Sequence, residues 1–167
     1  MQTSMYEFLI PAANRTLGNL ALLLDKAEEF ATAKKIEPAV LLGSRLAPDM
    51  FPLTRQVQIA CDMAKGAAAR LSGTEIPSFA DTESSIAELK GRIAKTLDFA
   101  NGIAAAKFDG SEDREVVIAL RSGELRFQGL NYLRDFAMPN VYFHVATAYL
   151  ILRHNGVEIG KNDFIGK

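Results

Sequence analysis

The chain has 167 residues, and at 49% hydrophobic and 23% charged it has the composition of an ordinary folded protein rather than a disordered one. Lys and Arg number 19 against 20 Asp and Glu, a net charge of −1, so the basic footprint of a nucleic-acid-binding protein is missing. At this length a single domain over residues 1–167 is expected, able to bury roughly 70% of its unfolded surface without help from disulfides or metal.

The first predicted element opens on Ser4 and Glu7, an S-x-x-E capping box in which each side chain satisfies a free N–H of the first turn. Leu17, Leu20, Leu24, Ala27 and Ala31 follow at spacings of three and four, one apolar stripe at helical period. The helix is predicted over 4–34, with a kink at Pro11, and it fades near Lys34 and Lys35, cations suited to its negative end. Pro38 opens a short helical turn through Leu42, and Leu46 to Pro52 reads as a proline loop bracketed by an Arg45–Asp49 ion pair.

The second long helix is predicted over 52–72, with Pro52 in its first position. Its stripe is Val57, Ala60, Ala64, Ala67 and Leu71, small enough for close helix approach, and Gly73 is a left-handed stop. The third is predicted over 82–102, starting at Thr82 with Glu83 in its first turn and burying Ile86, Leu89, Ile93, Leu97 and Ala100. Between residues 115 and 128 the period changes from helical to alternating around Ser122-Gly123, a hairpin signal. The last long helix is predicted over 139–155, with Val141, Val145, Ala148, Ile151 and Leu152 inward and the tail Ile159 to Ile165 docking on the rest. The fold class is therefore all-α, four helices each with one apolar face, and a small hairpin before the last.

Cysteine usage and the apolar stretches address the compartment. Cys61 is the single cysteine, so no internal disulfide forms. Met1 to Tyr6 show neither the charge nor the apolar core of a signal peptide. The longest nearly apolar stretch, Val141 to Leu152, falls short of the ~20 residues a membrane span needs. A cytoplasmic protein with no membrane or nucleic-acid partner is expected.

Chemistry is sparse. His144 sits among Tyr142, Phe143, Val145 and Ala148 and is expected to face inward. As a core histidine it would bond to a backbone carbonyl or a Tyr hydroxyl; as a functional one it would be a metal ligand or an acid–base group. His154 lies ten residues further on, about 15 Å along the helix, so the two cannot share an ion, and His154 is read as a partner of the helix dipole. Asp62 is an unusual choice for a helix interior. It is read as a solvent-facing carboxylate paired with Lys65 or Arg55, or else as a ligand or base facing His144. Cys61 reads as a buried small hydrophobe, and Tyr132, Tyr142 and Tyr149 as core aromatics rather than a pocket. Glycine-rich phosphate loops, G-x-S-x-G, C-x-x-C and H-E-x-x-H are all absent from the sequence.

Two long stretches carry a resemblance. RLAPDMFPLTRQVQIACDMAKGAAARL, from Arg45 to Leu71, and FAMPNVYFHVATAYLILRHNGVEIGKNDF, from Phe136 to Phe164, resemble a bacterial family of unknown function within the DinB/YfiT-like superfamily of metalloenzyme-like proteins. The resemblance implies an up-down-down-up four-helix bundle assembled as a homodimer. It also implies nickel or zinc held by three histidines, one on the second helix and an H-x-x-x-H pair on the last, and in some relatives thiol-dependent transferase or isomerase activity. This chain departs from the three-histidine pattern. Ala148 stands four residues after His144, Asn140 four before it, and the second helix has no histidine. Only His144 carries over as a remnant metal ligand, with Asp62 as a candidate replacement. Two readings follow. One is a non-catalytic or small-ligand-binding homodimer with a degenerate metal site and no cofactor. The other is a nickel- or zinc- or thiol-dependent transferase or isomerase remodelled around His144.

Overall fold

The structure is a computed structural model and describes residues 4–120 and 122–167. Helix α1 spans Met5–Lys34 and opens on the expected capping box, with Ser4 Oγ accepting from the Glu7 N–H at 3.1 Å and Glu7 accepting from the Ser4 N–H at 3.2 Å. It runs unbroken through Pro11, which lies on its exposed side, and buries Leu17, Leu20, Leu24, Ala27 and Ala31 as the stripe predicts. The short α2, Pro38–Gly43, leads into the proline loop, which is closed by the Leu53 N–H donating to the Ser44 carbonyl at 2.9 Å. Within this loop Arg45 donates to the Met50 carbonyl rather than pairing with Asp49.

Helix α3, Leu53–Ser72, packs against both α4 and α6. Its buried Ala60, Ala64, Ala67 and Ala68 let both neighbours come close, because small side chains keep the backbones near each other. Pro52 is the N-cap and not the first helical residue, and the helix stops where Gly73 adopts φ +68°, a left-handed conformation natural to glycine.

Helix α4 spans Ile86–Asn101, four residues shorter at its start than the sequence suggests. A capping box supplies the reason: Ser85 Oγ accepts from the Glu88 N–H, and Glu88 accepts from the Ser84 and Ser85 N–H groups. Thr82 and Glu83 therefore lie in the connection 73–85 and not in a helix. A 3₁₀ turn at Ala105–Phe108 then leads to strands β1, Glu115–Leu120, and β2, Gly123–Gln128, paired antiparallel with Val116 opposite Phe127 and Leu120 opposite Gly123.

The last long helix lies where the sequence predicts it, but a further helical run precedes it. A single turn, α5 at Gly129–Asn131, passes into a π-helical turn at Tyr132–Ala137 and then into α6, Met138–His154. Pro139 lacks the N–H that an α-helix needs at that point, and its ring would clash with the preceding turn; the wider π turn absorbs the misfit. Gly129 permits the turn that precedes β1 to meet this segment, since a Cβ there would lie 1.8 Å from the Ser111 carbonyl oxygen. Tyr132, Phe136 and Phe127 form an aromatic cluster at the junction, with ring centroids 5.3–6.0 Å apart. The tail forms α7, Lys161–Ile165, tied to α1 by Arg15, which donates to the Ile165 carbonyl, and by Asn19, which donates to that of Phe164. No described helix is long and apolar enough to cross a membrane.

Candidate functional site

His144 lies on the side of α6 that packs on α3 and is buried. Its partner is neither a carbonyl nor a tyrosine. Nδ1 lies 2.7 Å from the carboxamide oxygen of Gln56, and the Gln56 Nε2 donates to the Phe51 carbonyl at 3.0 Å. This chain of bonds decides the proton's position. The Phe51 carbonyl accepts only, so the amide nitrogen must face it and the amide oxygen must face His144. That oxygen carries no proton, so Nδ1 is the donor. Burial, and secondly the positive charge of Arg55, hold the imidazole below its ordinary value. A neutral ring protonated at Nδ1 has its lone pair on Nε2. Nε2 has no hydrogen-bond partner among the described residues and keeps some contact with solvent. Phe143, 54% exposed, packs edge-on against the imidazole at 5.1 Å, and Phe51, also 54% exposed, flanks the same bond network.

Asp62 belongs to a different cluster. Six residues along α3 from Gln56, it is displaced about 9 Å along the axis and turned by roughly 240°. Its Oδ1 lies 2.9 Å from Lys65 Nζ, the partner expected from the sequence, and 2.9 Å from Arg92 Nη2. The structure does not bring Asp62 to His144. Arg92, nearly sealed between α3 and α4, also reaches Asp81 Oδ1 at 2.9 Å, Glu83 Oε1 at 2.9 Å and the Ala80 carbonyl at 3.2 Å. Burial alone would raise the Glu83 carboxyl, but bonds from Arg92 and Gln58 outweigh it and hold the group below its ordinary value. Cys61 lies beneath this cluster, fully buried, and burial pushes its thiol up to about 12. A thiol shifted in that direction is a poor nucleophile, in keeping with a buried small hydrophobe.

His154 stands exposed in the last turn of α6. Tyr132, Tyr142 and Tyr149 share no pocket: Tyr132 is in the aromatic cluster, Tyr149 packs on Phe164 of α7, and Tyr142 faces outward.

The donor set does not fit a nickel or zinc ion. Protein zinc sites use at least three side-chain ligands. Here one imidazole stands beside a carboxamide whose oxygen is committed to it, Ala148 has no donor, and Asn140 donates to the Phe136 carbonyl. Among the described residues no three His, Cys, Asp or Glu side chains converge.

Gln56 and Arg92 were the residues hidden in the sequence. The signal for both is register: Gln56 lies four residues before Ala60 on the buried stripe of α3, and Arg92 lies between Leu89 and Ile93 on that of α4. A polar residue in phase with an apolar stripe must find a buried partner.

The helical core and the hairpin between its third and last long helices are those of a DinB-like protein. Residues 5–165 match the domain of unknown function DUF1993, and the chain belongs to that family. A crystal structure of a DinB family member protein from Shewanella denitrificans, at 1.83 Å resolution, superimposes with a TM-score of 0.90 at 43% identity, covering 98% of this chain and 92% of the other. No curated protein matches the sequence.

Proposed function

We propose that the chain is a non-catalytic, small-ligand-binding homodimer, built on the up-down-down-up four-helix bundle, in which the superfamily's metal centre has given way to the Gln56–His144 pair. The observation that carries this reading is the bond of 2.7 Å between Gln56 and His144 Nδ1, which places a proton on Nδ1 and so leaves the lone pair of the neutral ring on Nε2. Such a nitrogen accepts a hydrogen bond from an O–H or N–H group. Phe143, edge-on to the imidazole, offers exposed apolar surface for the body of the ligand, and Phe51, whose carbonyl holds Gln56, is exposed as well. The dimer reading is supported by the outer face of α6, where Tyr142, Phe143 and Leu150 are exposed and no charged residue occurs between Asp135 and Arg153. Screening small hydroxyl- and amide-bearing aromatics by chemical shift change tests the site. A binder should perturb Phe51, Phe143 and His144 and lose affinity in His144→Ala; perturbations confined elsewhere would overturn the reading.

A second reading, a transferase or isomerase remodelled around His144, draws on the same lone pair, which is equally suited to take a proton from a substrate. It requires a turnover that His144→Gln abolishes while the fold is kept.

A further inference from the structure

We infer that the connection 73–85 is a displaceable strap whose Asp81 and Glu83 occupy a site for a small dianion formed by Arg55, Lys65 and Arg92. This goes beyond the ligand site at His144 and does not depend on it.

The strap is attached in an unusual way. It crosses the outside of α3 and α4 with no regular structure, and none of residues 73–85 is a buried apolar side chain. Charged and polar groups do the holding. Arg92, its side chain 1% exposed, bonds to Asp81, Glu83 and the Ala80 carbonyl. Arg55 bonds to Asp81, and Gln58 donates to Glu83 at 2.8 Å. Lys65, its side chain 6% exposed, sits 4.2 Å from the centroid of the Phe79 ring. Open clefts of about 380 and 420 Å³ flank the strap, and Ser78 and Phe79 line both. A segment held by charge and not by buried apolar area opens at a lower free energy than the helices beneath it.

The floor under the strap is cationic. With Asp81 and Glu83 lifted away, Arg55, Lys65 and Arg92 face the single carboxylate of Asp62, a net charge of +2. Arg70 and Lys95 add positive charge at the rims of the two clefts, against Glu88, which is engaged in the α4 cap. With the strap lifted, the one carboxylate of Asp62 is left to compensate both Lys65 and Arg92, and Arg55 has no acidic partner. In the closed chain the strap's two carboxylates supply the compensation; in the open chain a dianion of similar span does. The guanidinium fork of Arg92 suits the paired oxygens of a carboxylate or a phosphate. Arg92 Nε, buried and without a partner among the described residues, is a fifth donor that the strap leaves unused.

Exchange and amide shifts of the full chain test this together, with inorganic phosphate and succinate in parallel arms against sodium chloride at matched ionic strength. A site of this kind moves the amide resonances of Ser78 to Glu83 along a saturable curve in at least one dianion arm, while α3 and α4 stay protected from exchange. The arm that responds tells a tetrahedral oxyanion from a dicarboxylate. The double variant Asp81→Asn, Glu83→Gln removes the internal competitor and should bind the responding dianion about tenfold more tightly, since the open state is then more populated. Amide shifts of 78–83 that are identical in phosphate, succinate and chloride overturn the inference, whether or not the double variant folds.

Discussion

The Gln56 carboxamide oxygen lies 2.7 Å from His144 Nδ1, and the same carboxamide donates to the Phe51 carbonyl at 3.0 Å. Three residues, from α3, α6 and the proline loop, thereby set one proton. The first prediction is spectroscopic: at pH 7 the nitrogen shifts of His144 report a neutral ring protonated at Nδ1. Gln56→Ala should mix the tautomers, because water in the vacated space pairs with either nitrogen. A native ring protonated at Nε2 would contradict the assignment.

His144 also fills core volume. His144→Ala should destabilise the fold by about 2–4 kcal/mol through lost packing and an unpaired Gln56 oxygen. His144→Gln keeps part of the volume and the bonding and should cost less. His154→Ala, at an exposed helix end, should cost less than about 1 kcal/mol. Urea melts of the three variants check the order, and a cycle with Gln56→Ala should show a coupling of about 1 kcal/mol or more, as expected for residues in contact.

Two groups make stability depend on pH in separate windows. The folded His144 lies below the unfolded value of 6.5, so the folded chain binds fewer protons there. Stability should rise with pH up to about 6.5 and be lost as pH falls below it, and His144→Gln should flatten this slope. Glu83 is held below 4.5, so its contribution is present above that value and is lost as pH falls through the folded one. Glu83→Gln should therefore flatten only the acid limb. Denaturant midpoints measured from pH 3 to 8 separate the two effects.

Cys61 provides a test of the core. With its thiol pushed up to about 12 by burial, it should react with a thiol reagent only when the chain opens. The labelling rate should track urea concentration along the unfolding curve, and fast labelling in buffer would contradict its placement.

Local signals carried the helical architecture well. The capping box at Ser4, the small-residue stripe of α3 and the alternation from residue 115 to 128 each act over a few residues and appear where expected. The start of α4 was misplaced because Thr82-Glu83 imitates a helix start, whereas Ser85 and Glu88 form the cap. The run from Gly129 through the π turn was missed because Pro139 reads as a beginning, and only the aromatic cluster and the Ser111 contact make a helix before it worthwhile. At the site, His144 was legible as an inward histidine. Its partner was not, because Gln56 is 88 positions away and nothing local marks the pairing. Asp62 was legible through Lys65, three residues on, but Arg92 lies thirty positions away on α4.

Metal content bears most directly on the central claim, that Gln56–His144 is a hydrogen-bonded ligand site and not a transition-metal centre. Purified protein incubated with zinc or nickel and then dialysed should retain far less than one equivalent, and His144→Ala should retain the same amount, since one imidazole is too few ligands for a tight site. One equivalent of zinc or nickel held by the native chain and lost in His144→Ala would contradict the account.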